Sequence, residues 1–192
     1  MRISIIFALF LLTIFSVKGQ NINTDWYSES TSKGITIQNS YPRGGRYPGT
    51  VNKHFNYSYL VFFTRIINET ESTFEIDINF SADPIAIPNS PNAFMKVFLP
   101  ADTMTLEKRS IPSYGINELA SLDEPTRFQR KVKPGEDCLF YSVAIFYQTT
   151  AGDWIQERGG NRAELILEGQ DLYYNILPQL DALPCGKIVF NK

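Results

Sequence analysis

One short segment alternates strictly between apolar and polar residues, and it restricts the fold more than any other part of the sequence. Its apolar positions are Phe74, Ile76, Ile78 and Phe80, and its polar positions are Glu75, Asp77 and Asn79. Successive side chains of a β-strand point to opposite faces. The alternation therefore predicts a strand with one buried and one solvent-facing side. Residues 163–168 and 172–176 repeat the pattern more weakly.

Two longer segments, residues 57–67 and 138–147, are apolar on both faces and rich in aromatic and β-branched side chains. This composition favours strands over helices. Strands that are apolar on both faces are covered on both sides of the sheet. We therefore predict that both segments are central strands. Further strand candidates are residues 35–38, 94–99, 128–132 and 187–190.

Turn-forming residues separate these strands, at 68–72, at 133–137 and in a glycine-rich loop at 42–49. Only residues 116–122 have a helical pattern. The predicted fold is all-β: an antiparallel two-sheet β-sandwich with about eight or nine strands and one short helix. Its predicted core is Leu60, Phe62, Phe74, Ile76, Ile78, Phe80, Phe140, Val143, Ile145, Leu165 and Leu167.

The order of these features resembles an immunoglobulin-like sandwich at the level of the fold. A long strand ends in Asn68-Glu-Thr, an amphipathic strand follows, and Lys133-Pro-Gly-Glu precedes a strand of apolar residues. The resemblance covers about residues 55–177. The chain departs from antibody domains because Trp154 lies in a polar Gly-Asp-Trp stretch and no cysteine falls on the 57–67 strand. The resemblance implies a fold and no function.

The first residues have the pattern of a secretory signal peptide. Arg2 precedes an apolar run at 3–15, and Val17 and Gly19 stand at the −3 and −1 positions of a cleavage site before Gln20. The run is shorter than the roughly 20 apolar residues of a membrane span, and no later run approaches that length. We predict a signal peptide at 1–19 and a single domain at 20–192, secreted or periplasmic. An uncleaved N-terminal anchor is the alternative.

The net charge limits the class of partner, and the cysteines bear on whether the protein contains a disulfide. Without Arg2 and Lys18, 16 basic residues face 20 acidic ones, a net charge of about −4, which argues against a nucleic-acid partner. The two cysteines, Cys138 and Cys185, lie in the predicted exported part. In an oxidising compartment we expect one structural disulfide between them. Two buried thiols are the alternative.

The sequence contains no recognisable catalytic or metal-binding motif. The single histidine, His54, has no nucleophile signature such as Gly-x-Ser-x-Gly nearby, and one histidine with two separated cysteines does not make a zinc site. We predict no catalytic residues, no metal and no cofactor. Glu75 and Asp77 share one face of a strand, so a hydrolase built on paired carboxylates is a further hypothesis.

Two arginine pairs flank glycines, in Arg43-Gly44-Gly45-Arg46 and in Arg158-Gly-Gly-Asn-Arg162. Guanidinium groups bind carboxylate or phosphate bidentately, and aromatic side chains bind sugars and proteins. The candidate ligand-binding residues are therefore Arg43, Arg46, Trp154, Arg158 and Arg162. The alternative is two unrelated glycine turns with solvated arginines.

Together these features suggest an exported, non-enzymatic binding, adhesion or scaffold module outside the cytoplasm. Its partner would be an envelope or extracellular protein or a glycan. The second hypothesis is a sandwich that binds carbohydrate or a small anion through loop aromatics and arginines, and the carboxylate hydrolase is the third.

Overall fold

The computed structural model describes residues 26–47, 57–105, 107–111, 114–117, 119, 121–148, 162–177 and 180–190. These residues form twelve strands and one short 3-10 turn, Glu107–Ser110, with no α-helix among them. The strands are β1 (Trp26–Ser32), β2 (Ile35–Ser40), β3 (Arg43–Arg46), β4 (Tyr57–Asn68), β5 (Phe74–Phe80), β6 (Ile85–Ala86), β7 (Ala93–Phe98), β8 (Thr126–Val132), β9 (Asp137–Gln148), β10 (Arg162–Glu168), β11 (Asp171–Leu177) and β12 (Leu180–Phe190).

The strands form two antiparallel sheets, which confirms the predicted all-β class. The first sheet has the order β1-β2-β4-β9-β7-β6, with β3 also paired to β4, and the second has the order β10-β11-β12-β5-β8. The long strands β4 and β9 pair along eleven positions in the middle of the first sheet. The prediction of two central strands is therefore confirmed.

The inner faces of the two sheets share one apolar core, as in a β-sandwich. The alternation in β5 works as predicted, because Phe74, Ile76 and Ile78 face this core and are fully buried. Of the predicted core residues, Leu60 and Leu167 are only partly buried, and the others are buried. Val143 and Ile145 are buried on the outer face of β9, in a second apolar cluster described below.

A chain of hydrogen bonds crosses the core from one sheet to the other. The Ser142 hydroxyl donates to the Tyr174 hydroxyl at 3.2 Å. The Tyr174 hydroxyl also forms a hydrogen bond of 3.0 Å with Thr64 Oγ1. Thr64 Oγ1 in turn donates to Asn39 Oδ1 at 3.3 Å. Asn39 in turn accepts from the Leu165 amide at 3.0 Å and donates to the Leu165 carbonyl at 3.2 Å. The Asn39 side chain thereby provides hydrogen-bond partners for two backbone groups on the edge of β10 that has no neighbouring strand.

The predicted glycine-rich loop is wrong for residues 43–46, which form strand β3 on the edge of β4. Glycine is required there by close approach. A Cβ atom on Gly44 would lie 2.5 Å from Leu60 Cδ2 and 2.6 Å from the Tyr59 carbonyl oxygen. The glycines that suggested a loop therefore allow two strands to pair closely.

The predicted short helix at 116–122 is also wrong. Ile116 and Asn117 belong to a turn, and the other described residues of the segment, 119, 121 and 122, form no helix. The apolar residues of this segment, including Ile116 and Leu119, pack instead on the outer face of the first sheet.

The last strand is longer and more central than the predicted 187–190 segment. Strand β12 lies between β11 and β5 in the second sheet. Its first half, which contains Pro184, pairs only with β11, and pairing with β5 begins at Gly186. A proline lacks the amide hydrogen for a second partner strand, so it is tolerated where only one neighbour is present.

The structure contains no disulfide between Cys138 and Cys185, and both are free, buried thiols, so the predicted bond is corrected. Cys138 belongs to β9 in the first sheet and Cys185 to β12 in the second. Facing sheets pack about 10 Å apart, whereas bonded cysteines have Cα atoms about 4.4–6.8 Å apart. Sharing a core therefore does not by itself bring the sulfur atoms together. Cys185 Sγ donates instead to the Leu172 carbonyl at 3.3 Å.

Candidate functional site

The outer face of the first sheet carries a second apolar cluster that is roofed by the chain between β7 and β8. Phe98, Val143 and Ile145 from the sheet pack there against Met104 and Tyr114 from the connecting segment. We call the described residues of this connection, within 99–125, the roof. A cleft lies between the roof and strands β3, β4 and β9.

The cleft has a volume of about 210 Å³. Its walls come from the end of β2, from β3, β4 and β9, and from the roof. The lining residues are Ser40, Tyr41, Arg43, Gly44, Tyr59, Val61, Phe63, Arg109, Ile111, Tyr114 and Tyr141.

Strand β3 determines which of its two arginines faces the cleft. Arg43 pairs with Val61, whose side chain lies in the outer cluster, whereas Arg46 pairs with Ser58. Because side chains alternate along a strand, Arg43 and Arg46 point to opposite faces of the sheet. Gly45 leaves room for the Tyr59 ring, since a Cβ atom there would lie 3.2 Å from the Tyr59 hydroxyl.

The second arginine of the cleft, Arg109, comes from the 3-10 turn in the roof. Its guanidinium carbon lies 5.8 Å from the centre of the Phe63 ring, within cation–π range. Arg43 Nη1 donates a hydrogen bond to the Arg109 carbonyl, which joins β3 to the roof. Within the described part of the chain, neither guanidinium forms an ion pair with a carboxylate. No described carboxylate therefore competes with an anion for these two guanidinium groups.

Tyr141 from β9 lies in the cleft and is only 5% exposed. Its ring contacts the rings of Tyr114 at 4.6 Å and Phe63 at 5.3 Å between centroids. Burial raises the pKa of Tyr141 to about 12, against the opposing charges of Arg43 and Arg109. The phenol is thus protonated at neutral pH. No described residue forms a hydrogen bond with its hydroxyl, and no side-chain oxygen among the described residues is both buried and unpartnered. The Tyr141 hydroxyl is therefore accessible from the cleft to a ligand or water.

The acidic residue beside the cleft is already neutralised. Asp102 forms an ion pair with Lys108 and accepts a hydrogen bond from the Tyr114 hydroxyl at 3.4 Å. The hydrogen bond and charge of Lys108 lower the pKa of Asp102. Asp102 thus has its own cationic partner in Lys108 and does not pair with Arg43 or Arg109.

The structure separates the residues predicted as a ligand site. Arg43 lines the cleft, Arg46 is exposed on the opposite side of β3, and Arg162 is exposed at the start of β10 in the other sheet. Trp154 and Arg158, like His54, lie outside the described residues. Sequence reasoning did not identify Arg109, Tyr59 or Tyr141 as partners of Arg43.

No protein-family model, curated protein or solved structure matches this chain. The described residues contain no group of three or more His, Cys, Asp or Glu side chains placed to hold a metal ion. Across the same ranges, no helix has the length and apolar character needed to cross a membrane.

Proposed function

We propose that this chain is an exported, non-enzymatic binding module that works outside the cytoplasm, and that its ligand site is the cleft between β3, β4, β9 and the roof. The observation that carries the proposal is the pair of guanidinium groups, Arg43 and Arg109, that face an aromatic cleft without a carboxylate partner among the described residues. The bound ligand would be a small anion. Because we propose that the protein is exported, we expect its partner to be a molecule of the cell envelope or of the extracellular space.

The chemistry of the cleft supports binding. A guanidinium group offers N–H donors in a fork that matches two oxygen atoms of an anion. Aromatic walls exclude water, and charge-assisted hydrogen bonds are stronger in such an environment. Asp77, one of two carboxylates considered for a hydrolase, is held by both Nε and Nη2 of Arg127, at 2.8 and 2.7 Å. That engagement favours a structural role for Asp77.

The ligand site is tested by calorimetric titration of wild-type protein with a panel of small anions, followed by single substitutions. Arg43→Gln and Arg109→Gln are expected to weaken the best anion by about 10- to 100-fold, because each removes a charged hydrogen-bond donor. Arg46→Gln is the matched control. It removes an equivalent charge from the same strand on its other face and is expected to leave affinity unchanged. Equal losses for Arg43→Gln and Arg46→Gln would contradict a defined cleft site.

Export is supported by Arg2, the apolar run at 3–15 and the Val17–Gly19 exit. Intact mass spectrometry without reduction is expected to show a chain that starts at or within a few residues of Gln20. A full-length membrane-embedded product would contradict export.

The same measured mass is expected to include the hydrogen atoms of two reduced thiols, because Cys138 and Cys185 are free. A mass lower by two hydrogen atoms would contradict the free thiols.

We extend the proposal to an immunoglobulin-like arrangement of the sandwich. Two connections support it, since the turn after Asn68 and the turn at 133–136 each carry the chain from one sheet to the other. These are the two turns on which the sequence resemblance rests.

A further inference from the structure

We infer that the cleft selects an aromatic carboxylate, a ligand with a flat apolar body and one carboxylate head. This inference rests on the proposed function and specifies its ligand class. It distinguishes the small-anion hypothesis from the carbohydrate hypothesis by the kinds of hydrogen-bonding groups that line the cleft.

The polar side chains of the cleft are mainly donors. Arg43 and Arg109 donate only, and the protonated phenol of Tyr141 offers an accessible hydroxyl without a described partner. The hydroxyls of Tyr41 and Tyr59 can donate or accept. The described lining residues include no Asp, Glu, Asn or Gln side chain. Ser40 Oγ is occupied, since it accepts from the Phe63 amide at 3.2 Å and donates to the Tyr41 carbonyl at 3.3 Å.

This inventory suits a carboxylate better than a sugar. An ionised carboxylate only accepts hydrogen bonds, so it matches a cleft lined by two guanidinium groups and the Tyr141 hydroxyl. Each hydroxyl of a sugar needs an acceptor for its own hydrogen when it is buried. Apart from the tyrosine hydroxyls, the lining side chains offer few acceptors, and a buried polar group without a partner weakens binding.

The rest of the cleft is apolar. Val61 and Phe63 form part of its lining, and Ile111 and Tyr41 lie at its open side with exposed fractions of 51% and 59%. Among the described residues, the exposed large hydrophobic side chains are Tyr41, Ile111 and Val189, and the two most exposed of them line the cleft. An apolar ligand body would cover them.

The volume of the cleft fits this ligand. Cavities of about 150 Å³ hold a benzene molecule, and this cleft has a volume of about 210 Å³. The space therefore accommodates one aromatic ring together with its carboxylate. The ring would pack between Tyr59 and Ile111, and the carboxylate would lie toward Arg43, Arg109 and Tyr141.

Calorimetric titration with five probes tests the inference on the wild-type protein. The probes are benzoate, benzamide as a neutral molecule of the same shape, acetate as a head without a body, glucuronate as a head on a polar ring, and phenyl phosphate as a different head. Benzoate is expected to bind best, with each of the other four at least tenfold weaker.

Two substitutions separate the roles of the head and the body. Tyr141→Phe is expected to weaken benzoate about three- to tenfold, because it removes one hydrogen bond to the carboxylate, and to leave benzamide unchanged. Ile111→Ser is expected to weaken benzoate and to leave acetate unchanged. Melting curves of both variants check that the fold is retained.

The failure of this inference differs from the failure of the proposed function. Glucuronate, benzamide or phenyl phosphate binding as well as benzoate would overturn the ligand class, while sensitivity to Arg43→Gln would preserve the cleft as an anion site. Two results would overturn both the ligand class and the proposed function. One is that neither Arg43→Gln nor Arg109→Gln changes the affinity for any probe, and the other is that no anion binds.

Discussion

Replacing Gly186 with alanine is expected to destabilise the protein by at least about 4 kcal/mol, which is more than most single substitutions cost. A Cβ atom at this position would lie 2.0 Å from the Asp77 carbonyl oxygen and 2.9 Å from Ile78 Cα. Both are backbone atoms of β5, so no side-chain rotation relieves the clash. Gly186 is also the position where β12 begins to pair with β5, and separation there disturbs the whole second sheet.

The free energy of unfolding from urea titration measures this effect, and soluble yield and circular dichroism report it if the variant does not fold. Gly135→Ala is the matched control. Gly135 has a φ of 75° and open space around its would-be Cβ atom. Gly135→Ala is therefore expected to cost about 1–2 kcal/mol, because alanine is strained in the left-handed backbone conformation. Equal costs for the two substitutions would show that β5 and β12 are less closely packed than the structure indicates.

Asn39→Ala is expected to destabilise the protein by about 3 kcal/mol. Asn39 is 3% exposed, and its side chain holds both the amide and the carbonyl of Leu165. Alanine would leave these two backbone groups without partners inside the protein, and each unsatisfied group costs about 1–3 kcal/mol. Thr64 would lose the acceptor of its hydroxyl as well.

Gln38→Ala is the control for Asn39→Ala in the same urea titration. Gln38 is the residue before Asn39 in β2, and its side chain forms hydrogen bonds with Glu29 and Arg65 near the surface. Its removal is expected to cost less than about 1 kcal/mol. If the two variants were equally stable, the side-chain bridge to β10 would not contribute to stability.

The sequence pattern predicted the strands whose side chains alternate or are apolar throughout. Phe74, Ile76 and Ile78 are separated by polar residues because one face of β5 meets the core and the other meets solvent. Strands β4 and β9 are apolar on both faces because the core lies on one side and the roof on the other. Local composition reports such burial directly.

The pattern failed where the reason for a residue lies in a distant strand. Gly44 and Gly45 suggested a loop, but they are glycines because Leu60 and Tyr59 approach from β4. The predicted C-terminal strand covered only residues 187–190, whereas β12 begins earlier, at Leu180. The disulfide prediction rested on the expected oxidising compartment. A linear sequence does not record that Cys138 belongs to one sheet and Cys185 to the other.

The candidate site was predictable only in part. Arg43 was identified because paired arginines around glycines are visible locally. Arg109 and Tyr141 were missed because they are 66 and 98 positions away and meet Arg43 only through the fold of the roof and the register of β9. One signal was present: Tyr59, Phe63 and Tyr141 belong to the outer-facing positions of β4 and β9, where aromatic side chains are unexpected on a solvated face.

The central position of β12 has a consequence for how the chain folds. Strands β5 and β8 pair with each other, but they join β10 and β11 only through β12, which is made more than ninety residues after β5. Pairing between such distant segments is slow, because the intervening loop must close before any contact rewards it. The second sheet is thus incomplete until residues 180–190 have left the ribosome. Until then, the apolar faces of β5 and β8 cannot be joined to those of β10 and β11, so the core between the two sheets is also incomplete.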